Sequence, residues 1–160
     1  MKKWFFVQSL VLLGGTVFAW YTISIDYRRF YDIEGTIFKV VDCRFPNPVT
    51  TPCFYGAWAF LIAFIWSIAV IRKKEEAAQK RQEKYLVWFL VAGTLFAWGN
   101  FAYGFFKFVA NQGKPVIGCS GQLVGDPFGT PCFYGAVLFL LSLASGSYLL
   151  WRLSKKQKLS

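Results

Sequence analysis

The sequence predicts an all-α integral membrane protein with four transmembrane helices, arranged as two tandem helical hairpins of the same orientation. Three observations lead to this fold class. The chain is 56% hydrophobic and only 16% charged, whereas soluble domains carry about 25% charged residues. Four long segments lack Asp, Glu, Lys and Arg, and the sequence repeats itself. We expect small disulfide-stapled outer loops that contain some β-structure.

Each uncharged segment is long enough to cross a bilayer. The four segments cover about residues 4–25, 54–71, 85–106 and 133–151, and a helix needs about 20 apolar residues to span the hydrocarbon core. The first follows "MKK" but is long for the apolar region of a signal peptide. It also has a repeat partner in the middle of the chain, so we predict that it is a span.

The distribution of charge predicts how the spans are oriented. The N-terminus, the middle loop and the C-terminus together carry a net charge of +9, and the other two loops together carry +1. Because basic residues concentrate on the cytoplasmic side, we expect both termini in the cytoplasm and the cysteine-bearing loops outside the plasma (inner) membrane. The overall charge of +10 is then a topology signal, and no nucleic-acid partner is expected.

The repeat divides the chain into two units. "TPCFYGA" occurs at residues 51–57 and again at 130–136, and "GGTVFAW" at 14–20 matches "AGTLFAW" at 92–98. Each unit reads as a helix, an outer loop with two cysteines, and a second helix. We therefore predict repeats at 1–78 and 79–160 within a single membrane domain. Units with two spans insert the same way up, which implies a pseudo-two-fold axis along the membrane normal.

The repeated motif suits the start of a helix. Thr51 and Thr130 are predicted N-caps, and Pro52 and Pro131 suit the first helical position, where no N–H is needed. Small residues that follow let a neighbouring helix approach closely. These predicted packing residues are Gly56, Ala57, Gly135 and Ala136.

The outer loops and two polar residues complete the structural predictions. In loop one, "TIFKVVD" suits a strand, and in loop two "PVIGCSGQLVGDP" suits a hairpin between two short strands. Gln8 and Asn100 lie in apolar segments, where an interhelical hydrogen bond is the expected role and a ligand contact the alternative.

All four cysteines fall in the outer loops or beside them: Cys43, Cys53, Cys119 and Cys132. An even number on the oxidising side predicts disulfides. The simplest connectivity is Cys43–Cys53 with Cys119–Cys132, and a cross-pairing of Cys43 with Cys119 and Cys53 with Cys132 stays open. The chain has no histidine, and an oxidising compartment disfavours a four-cysteine metal site, so no metal is predicted.

The layout of spans and cysteines resembles the bacterial disulfide-bond formation protein B family and, more loosely, the vitamin K epoxide reductase family. The resemblance covers topology, length and cysteine placement. It implies electron transfer from a partner thiol to a membrane quinone, with all four cysteines in redox roles. Those families use Cys-x-x-Cys, whereas the spacings here are Cys-x9-Cys and Cys-x12-Cys. The duplication also gives both cysteine pairs equivalent settings.

Three functions are consistent with the sequence. The leading hypothesis is a non-enzymatic accessory, scaffold or assembly subunit without catalytic residues or a cofactor. Its partners would be the lipid bilayer and other membrane proteins or further copies of the chain. The first alternative is a quinone-linked thiol–disulfide oxidoreductase, in which the four cysteines are catalytic and quinone is the cofactor. The second is a module that binds a lipid or small molecule between the repeats.

Overall fold

Four long helices make up most of the structure. The computed structural model describes residues 2–38, 47–118 and 123–159. The helices are α1 (Lys2–Glu34), α2 (Pro52–Arg72), α3 (Glu76–Ala110) and α4 (Pro131–Leu159), and the strands are β1 (Val116–Ile117) and β2 (Leu123–Val124). All four helices are long and apolar enough to cross a membrane. The chain is therefore a membrane-embedded protein, as its composition predicted.

The helices run up and down in a bundle. The pairs α1–α2 and α3–α4 have the most extensive contacts, and α1–α4 and α2–α3 also pack together. Trp4, at the start of α1, lies 4.7 Å from Tyr148 near the end of α4, measured between ring centroids. Further along α1, Trp20 lies 5.3 Å from Trp58 near the start of α2. We call the end where α1 and α3 begin the basic end, and the opposite end the loop end.

Two apolar clusters form the core. The larger one lies in the middle of the bundle, where Leu12, Leu86 and Leu90 are fully buried beside Phe60 and Phe139. The smaller one lies at the basic end and contains Phe5, Val70, Leu149 and Leu153. Many other large apolar side chains point outwards, among them Phe6, Leu95 and Trp88. Outward apolar side chains suit a protein whose solvent is lipid.

Several helices extend beyond the predicted spans. α1 continues to Glu34, although the predicted span ends at about residue 25. Phe30 is buried, so this extension packs against the protein. The helix ends at Gly35, which has a φ of +67° and donates its N–H to Tyr31 O at 2.8 Å. Positive φ at the residue after a helix is a common C-terminal signal. At the basic end, α3 includes residues 76–84 of the charged middle loop, which we predicted as a solvated linker helix because it is rich in good helix formers.

The loop between α3 and α4 contains the predicted β-structure. β1 and β2 pair antiparallel, with Val116 opposite Val124 and Ile117 opposite Leu123, and the connection between them lies outside the described residues. The strand predicted in loop one is not formed at residues 36–38, and the rest of that segment lies outside the described residues.

Candidate functional site

The two copies of Thr-Pro-Cys start α2 and α4 in the same way. Thr51 Oγ1 accepts a hydrogen bond from Phe54 N at 3.4 Å, and Thr130 Oγ1 accepts one from Phe133 N at the same distance. Pro52 and Pro131 occupy the first helical positions. Each cysteine is therefore fixed in the first turn of its helix.

A short 3₁₀ turn precedes each of these helices, at Pro48–Thr50 and at Pro127–Gly129. Asn47 and Asp126 cap the turns by accepting hydrogen bonds from the backbone N–H groups of Val49 and Phe128. The threonine hydroxyls also donate back to the turns. This network fixes the direction in which each cysteine enters the bundle.

The two helix starts bring Cys53 and Cys132 together. Their Sγ atoms lie 3.6 Å apart, whereas a disulfide bond is about 2.05 Å long. Cys53 is a free thiol. Cys132 is disulfide-bonded, and its bonding partner lies outside the described residues. The thiol of Cys53 is therefore in contact with a disulfide sulfur.

This arrangement differs from the connectivity that we considered simplest. Because Cys53 is a free thiol, the predicted Cys43–Cys53 bond is absent, and the 3.6 Å separation also rules out a Cys53–Cys132 bond in this structure. Cys43 and Cys119 lie outside the described residues, so the Cys119–Cys132 pairing stays a prediction. Cysteine spacing limits the possible connectivities but does not choose among them, because the choice depends on how the helices pack.

Cys53 and Cys132 both line an apolar cavity of about 60 Å³, which is partly open. Its sixteen lining residues form eight pairs of positions matched by the sequence repeat. The pairs are Phe18 and Phe96, Ala19 and Ala97, Thr22 and Asn100, Pro52 and Pro131, Cys53 and Cys132, Gly56 and Gly135, Ala57 and Ala136, and Phe60 and Phe139. The cavity therefore lies where the two halves of the chain face each other.

Two stacked rings close the cavity on the side towards the middle of the bundle. Phe60 and Phe139 have ring centroids 4.0 Å apart and an interplanar angle of 29°. Each ring also lies against a glycine of the preceding helix. A Cβ on Gly93 would approach the ring of Phe139 to 2.6 Å, and one on Gly15 would clash with Phe60 in the same way. These two glycines are what allow the rings to stack.

The predicted packing residues divide into two groups. Ala57 and Ala136 are fully buried. Gly56 and Gly135 line the cavity, and a Cβ built on either meets no heavy atom within 4 Å among the described residues. These two glycines therefore leave space rather than allow contact. The glycines in tight contact are Gly15 and Gly93, which lie in "GGTVFAW" and "AGTLFAW" and could have been found from that second repeated motif.

The polar groups near the cavity bond mainly to their own helices. Thr22 Oγ1 donates to Ala19 O, and Asn100 Nδ2 donates to Phe96 O, each at 2.8 Å. Asn100 therefore makes an intrahelical bond where an interhelical one was expected. The indole N–H groups of Trp20 and Trp98 are buried and have no acceptor within the described part of the chain.

A buried polar pair at the basic end was only half predicted. Gln8 Nε2 donates to Glu83 Oε1 at 2.7 Å, which is the interhelical bond expected for Gln8. Glu83 is 0% exposed, although it lies in the charged segment that we assigned to the middle loop. The buried residues of α3 are Glu83, Leu86, Leu90 and Thr94. Their spacing of three or four residues continues the buried helix face back to Glu83, and this spacing could have identified Glu83 as buried.

The chemistry available at the loop end is thiol–disulfide exchange next to an apolar cavity. A free thiol, a disulfide sulfur and aromatic rings are brought together there from α1, α2, α3 and α4. A fold alone would not identify a function, so the site itself must support any assignment. No protein-family model, curated protein or solved structure matches this chain.

Proposed function

We propose that the chain is a membrane thiol–disulfide oxidoreductase that transfers electrons from a substrate dithiol to a lipid-soluble quinone. The observation that supports this proposal is the 3.6 Å separation between the Cys53 thiol and the disulfide-bonded Cys132. Families with Cys-x-x-Cys bring two sulfurs together by sequence spacing, whereas here two helix starts do so. Cys53 is a free thiol and Cys132 is disulfide-bonded. This difference between the two cysteines provides the asymmetry that an electron relay requires.

The proposed topology follows the charge distribution. The chain would be two tandem hairpins of the same orientation, with both termini in the cytoplasm and the cysteine-bearing loops outside the plasma membrane. The pairing of all cavity residues across the repeat supports this arrangement. It would place the sulfur atoms at the oxidising side, where substrate thiols of secreted proteins are found.

The internal step is a balanced exchange. The thiolate of Cys53 attacks Cys132 Sγ, a Cys53–Cys132 bond forms, and the bond between Cys132 and its present partner breaks. The electron pair leaves on the partner sulfur, which is Cys119 in the predicted connectivity and takes up the proton that Cys53 lost. No net oxidation occurs in this step, so the cycle needs an electron donor and an electron acceptor.

The complete cycle has a substrate dithiol as the electron donor and a quinone as the electron acceptor. A dithiol of a substrate protein reduces the disulfide of the chain by two exchange reactions and becomes a disulfide itself. A quinone then oxidises the resulting pair of thiols: the sulfur atoms form an S–S bond, and two electrons and two protons reach the two carbonyl oxygens. The products are a substrate disulfide and a quinol. The small apolar cavity would take the edge of the quinone ring, and the tail would leave through its open side into lipid.

The juxtaposition of the sulfurs is tested first. In the variant Cys43→Ser/Cys119→Ser, mild oxidation should join Cys53 to Cys132, because a rotation of the side chains closes most of the gap between them. Peptide mapping by mass spectrometry under non-reducing conditions would detect the bond. A variant that keeps two thiols under these conditions would contradict the proposed exchange.

Turnover is tested with purified protein in detergent. With a small dithiol as donor and a short-chain soluble quinone as acceptor, quinone absorbance should fall faster than in the absence of protein. Cys53→Ser and Cys132→Ser should each lower this excess rate at least about tenfold, since the nucleophile or its target is lost. Ser24→Ala, an exposed position on α1, is the control and should keep the rate. Wild-type rates for Cys53→Ser would refute the role of this thiol.

The accessory-subunit hypothesis remains the alternative, and the same preparation distinguishes it. Absence of quinone reduction, together with a second membrane protein that co-purifies in gentle detergent, would favour a scaffold or assembly role. Isolation of the chain alone, with quinone reduction, would count against that role.

A further inference from the structure

A second concave surface lies at the basic end, far from the cysteines. It is an open groove of about 480 Å³ between the first turns of α3 and the last part of α4. We call it the basic groove, and its lining residues are Ala77, Lys80, Arg81, Lys84, Leu150 and Ser154. Three of the six lining residues are basic, and no lining residue is acidic.

The position of the groove corresponds to the boundary between apolar and charged sequence. Lys84 directly precedes the uncharged segment that begins at Tyr85, and Leu150 lies at the end of the last one. Tyr85, Trp88 and Trp151 are exposed on the same two helices, and aromatic side chains of this kind favour the headgroup level of a bilayer. The groove therefore lies at the depth of lipid headgroups.

Basic side chains outnumber acidic ones around the groove, where Glu76, next to the lining residue Ala77, is an exposed carboxylate at the start of α3. Glu83 lies on the same helix, but its side chain is turned into the bundle and is 0% exposed. On α4, Arg152 and Lys155 are in contact with the rings of Tyr148 and Trp151. Arg81 and Lys84 are both exposed, so their charged groups can reach a bound anion.

We infer that the basic groove binds the phosphate of an anionic phospholipid headgroup. Arg81 and Lys84 would donate charge-assisted hydrogen bonds to the phosphate oxygens, and the hydroxyl of Ser154 is a further donor. Leu150, at the end of the last apolar segment, gives the groove an apolar contact for the glycerol and upper acyl carbons. Basic grooves between transmembrane helices are a known setting for anionic headgroups. This inference does not depend on the proposed redox function.

Binding is measured in a neutral detergent, where no membrane surface potential acts. The full chain is titrated with phosphatidylglycerol, and the bound lipid is counted by native mass spectrometry. We expect one tightly bound lipid for the wild-type chain and no comparable binding of phosphatidylcholine. The double variant R81Q/K84Q should bind phosphatidylglycerol at least about tenfold more weakly, because two charge-assisted contacts are lost.

The matched control is K73Q/K74Q. It removes the same charge from exposed residues just before α3 that do not line the groove, and it should keep the wild-type affinity. Equal weakening in both double variants, or no weakening in R81Q/K84Q, would overturn the inference. A last arm uses inorganic phosphate: if it displaces phosphatidylglycerol at an equal concentration, the groove is a site for free phosphate and the lipid assignment fails.

Discussion

At the residue scale, two glycines determine how the centre of the bundle packs. Gly15 and Gly93 each lie under a phenylalanine ring, and the rings of Phe60 and Phe139 stack on each other. Both rings are almost fully buried, with 2% of each side chain exposed. Gly14 is adjacent to Gly15 in sequence, but a Cβ built there meets no described heavy atom within 4 Å.

The neighbouring glycines should therefore respond differently to alanine. Gly15→Ala should lower the free energy of unfolding by about 1–3 kcal/mol, because the added methyl group overpacks the ring of Phe60. Gly14→Ala should be neutral or slightly stabilising, since alanine favours a helix by about 1 kcal/mol over glycine. The repeat already has Ala92 at the position that matches Gly14. Denaturant titration in detergent, followed by circular dichroism, would measure both, and equal effects would contradict this account.

A second residue-scale feature is the buried pair of Gln8 and Glu83. The hydrogen bond between them satisfies Glu83 Oε1, but Oε2 is buried without a partner among the described residues. Gly146 gives the pair room, because a Cβ there would lie 3.0 Å from Gln8 Nε2 and 3.4 Å from Glu83 Oε1. The matching positions of the other repeat unit are the apolar residues Leu86 and Phe5.

A double-mutant cycle tests the energetics of this pair. Gln8→Leu should destabilise the protein by about 1–3 kcal/mol, because it leaves a buried carboxyl group without its hydrogen-bond donor. Gln8→Leu/Glu83→Leu should recover most of that loss, since removal of both polar partners is often nearly neutral. The same unfolding measurement supplies all four values of the cycle. A double variant less stable than Gln8→Leu would show that the carboxyl group is favourable even without Gln8.

At the element scale, the ends of the helices depend on local backbone signals, whereas hydropathy locates only their middles. The predicted segment 54–71 falls within α2 at Pro52–Arg72, where Thr-Pro and a short loop lie close to the apolar boundary. α1 instead continues to Glu34, since nothing in its polar extension stops a helix before Gly35. α3 ends at Ala110, where Gln112 and Gly113 have positive φ and Gly113 N donates to Phe108 O at 3.1 Å.

The N-cap of α2 gives an element-scale prediction. Thr51→Ala should reduce the stability of the protein by about 1 kcal/mol, because Phe54 N loses the side-chain acceptor at the helix start. Thr51→Ser keeps the hydroxyl and should stay close to wild type. Thr130→Ala should cause a similar loss at α4, since its cap has the same geometry. Thermal unfolding in detergent would measure each change, and a loss in Thr51→Ser equal to that in Thr51→Ala would assign the effect to packing instead.

At the scale of the whole molecule, the sequence predicted the four helices but not the contacts between them. The repeat identified the pairs of equivalent residues, yet only the packing of the first hairpin on the second, through α1–α4 and α2–α3, brings Cys53 and Cys132 within 3.6 Å. Side-chain contacts across a bundle depend on helix rotation and crossing, which hydropathy does not encode. For the same reason Glu83 was assigned to a solvated linker helix, whereas the structure places its side chain between helices.

The arrangement of the helix ends leads to a prediction about topology. Contacts of Trp4 with Tyr148 and of Gln8 with Glu83 place the starts of α1 and α3 and the end of α4 at one end of the bundle. Lys74, between α2 and α3, therefore belongs to the basic end, and Lys114, between α3 and α4, to the loop end. Because basic residues concentrate at the first end, we expect it to face the cytoplasm.

Single cysteines introduced at these two positions would test the orientation. A membrane-impermeant maleimide should label Lys114→Cys in intact cells and Lys74→Cys only after permeabilisation, with the unsubstituted chain as the baseline for Cys53. Both substituted positions are exposed, so accessibility should depend on the side of the membrane and not on burial in the protein. Labelling of Lys74→Cys in intact cells would reverse the orientation and place the thiol of Cys53 on the reducing side. Thiol–disulfide exchange with secreted substrates would then be excluded, whereas the packing of the four helices would be unaffected.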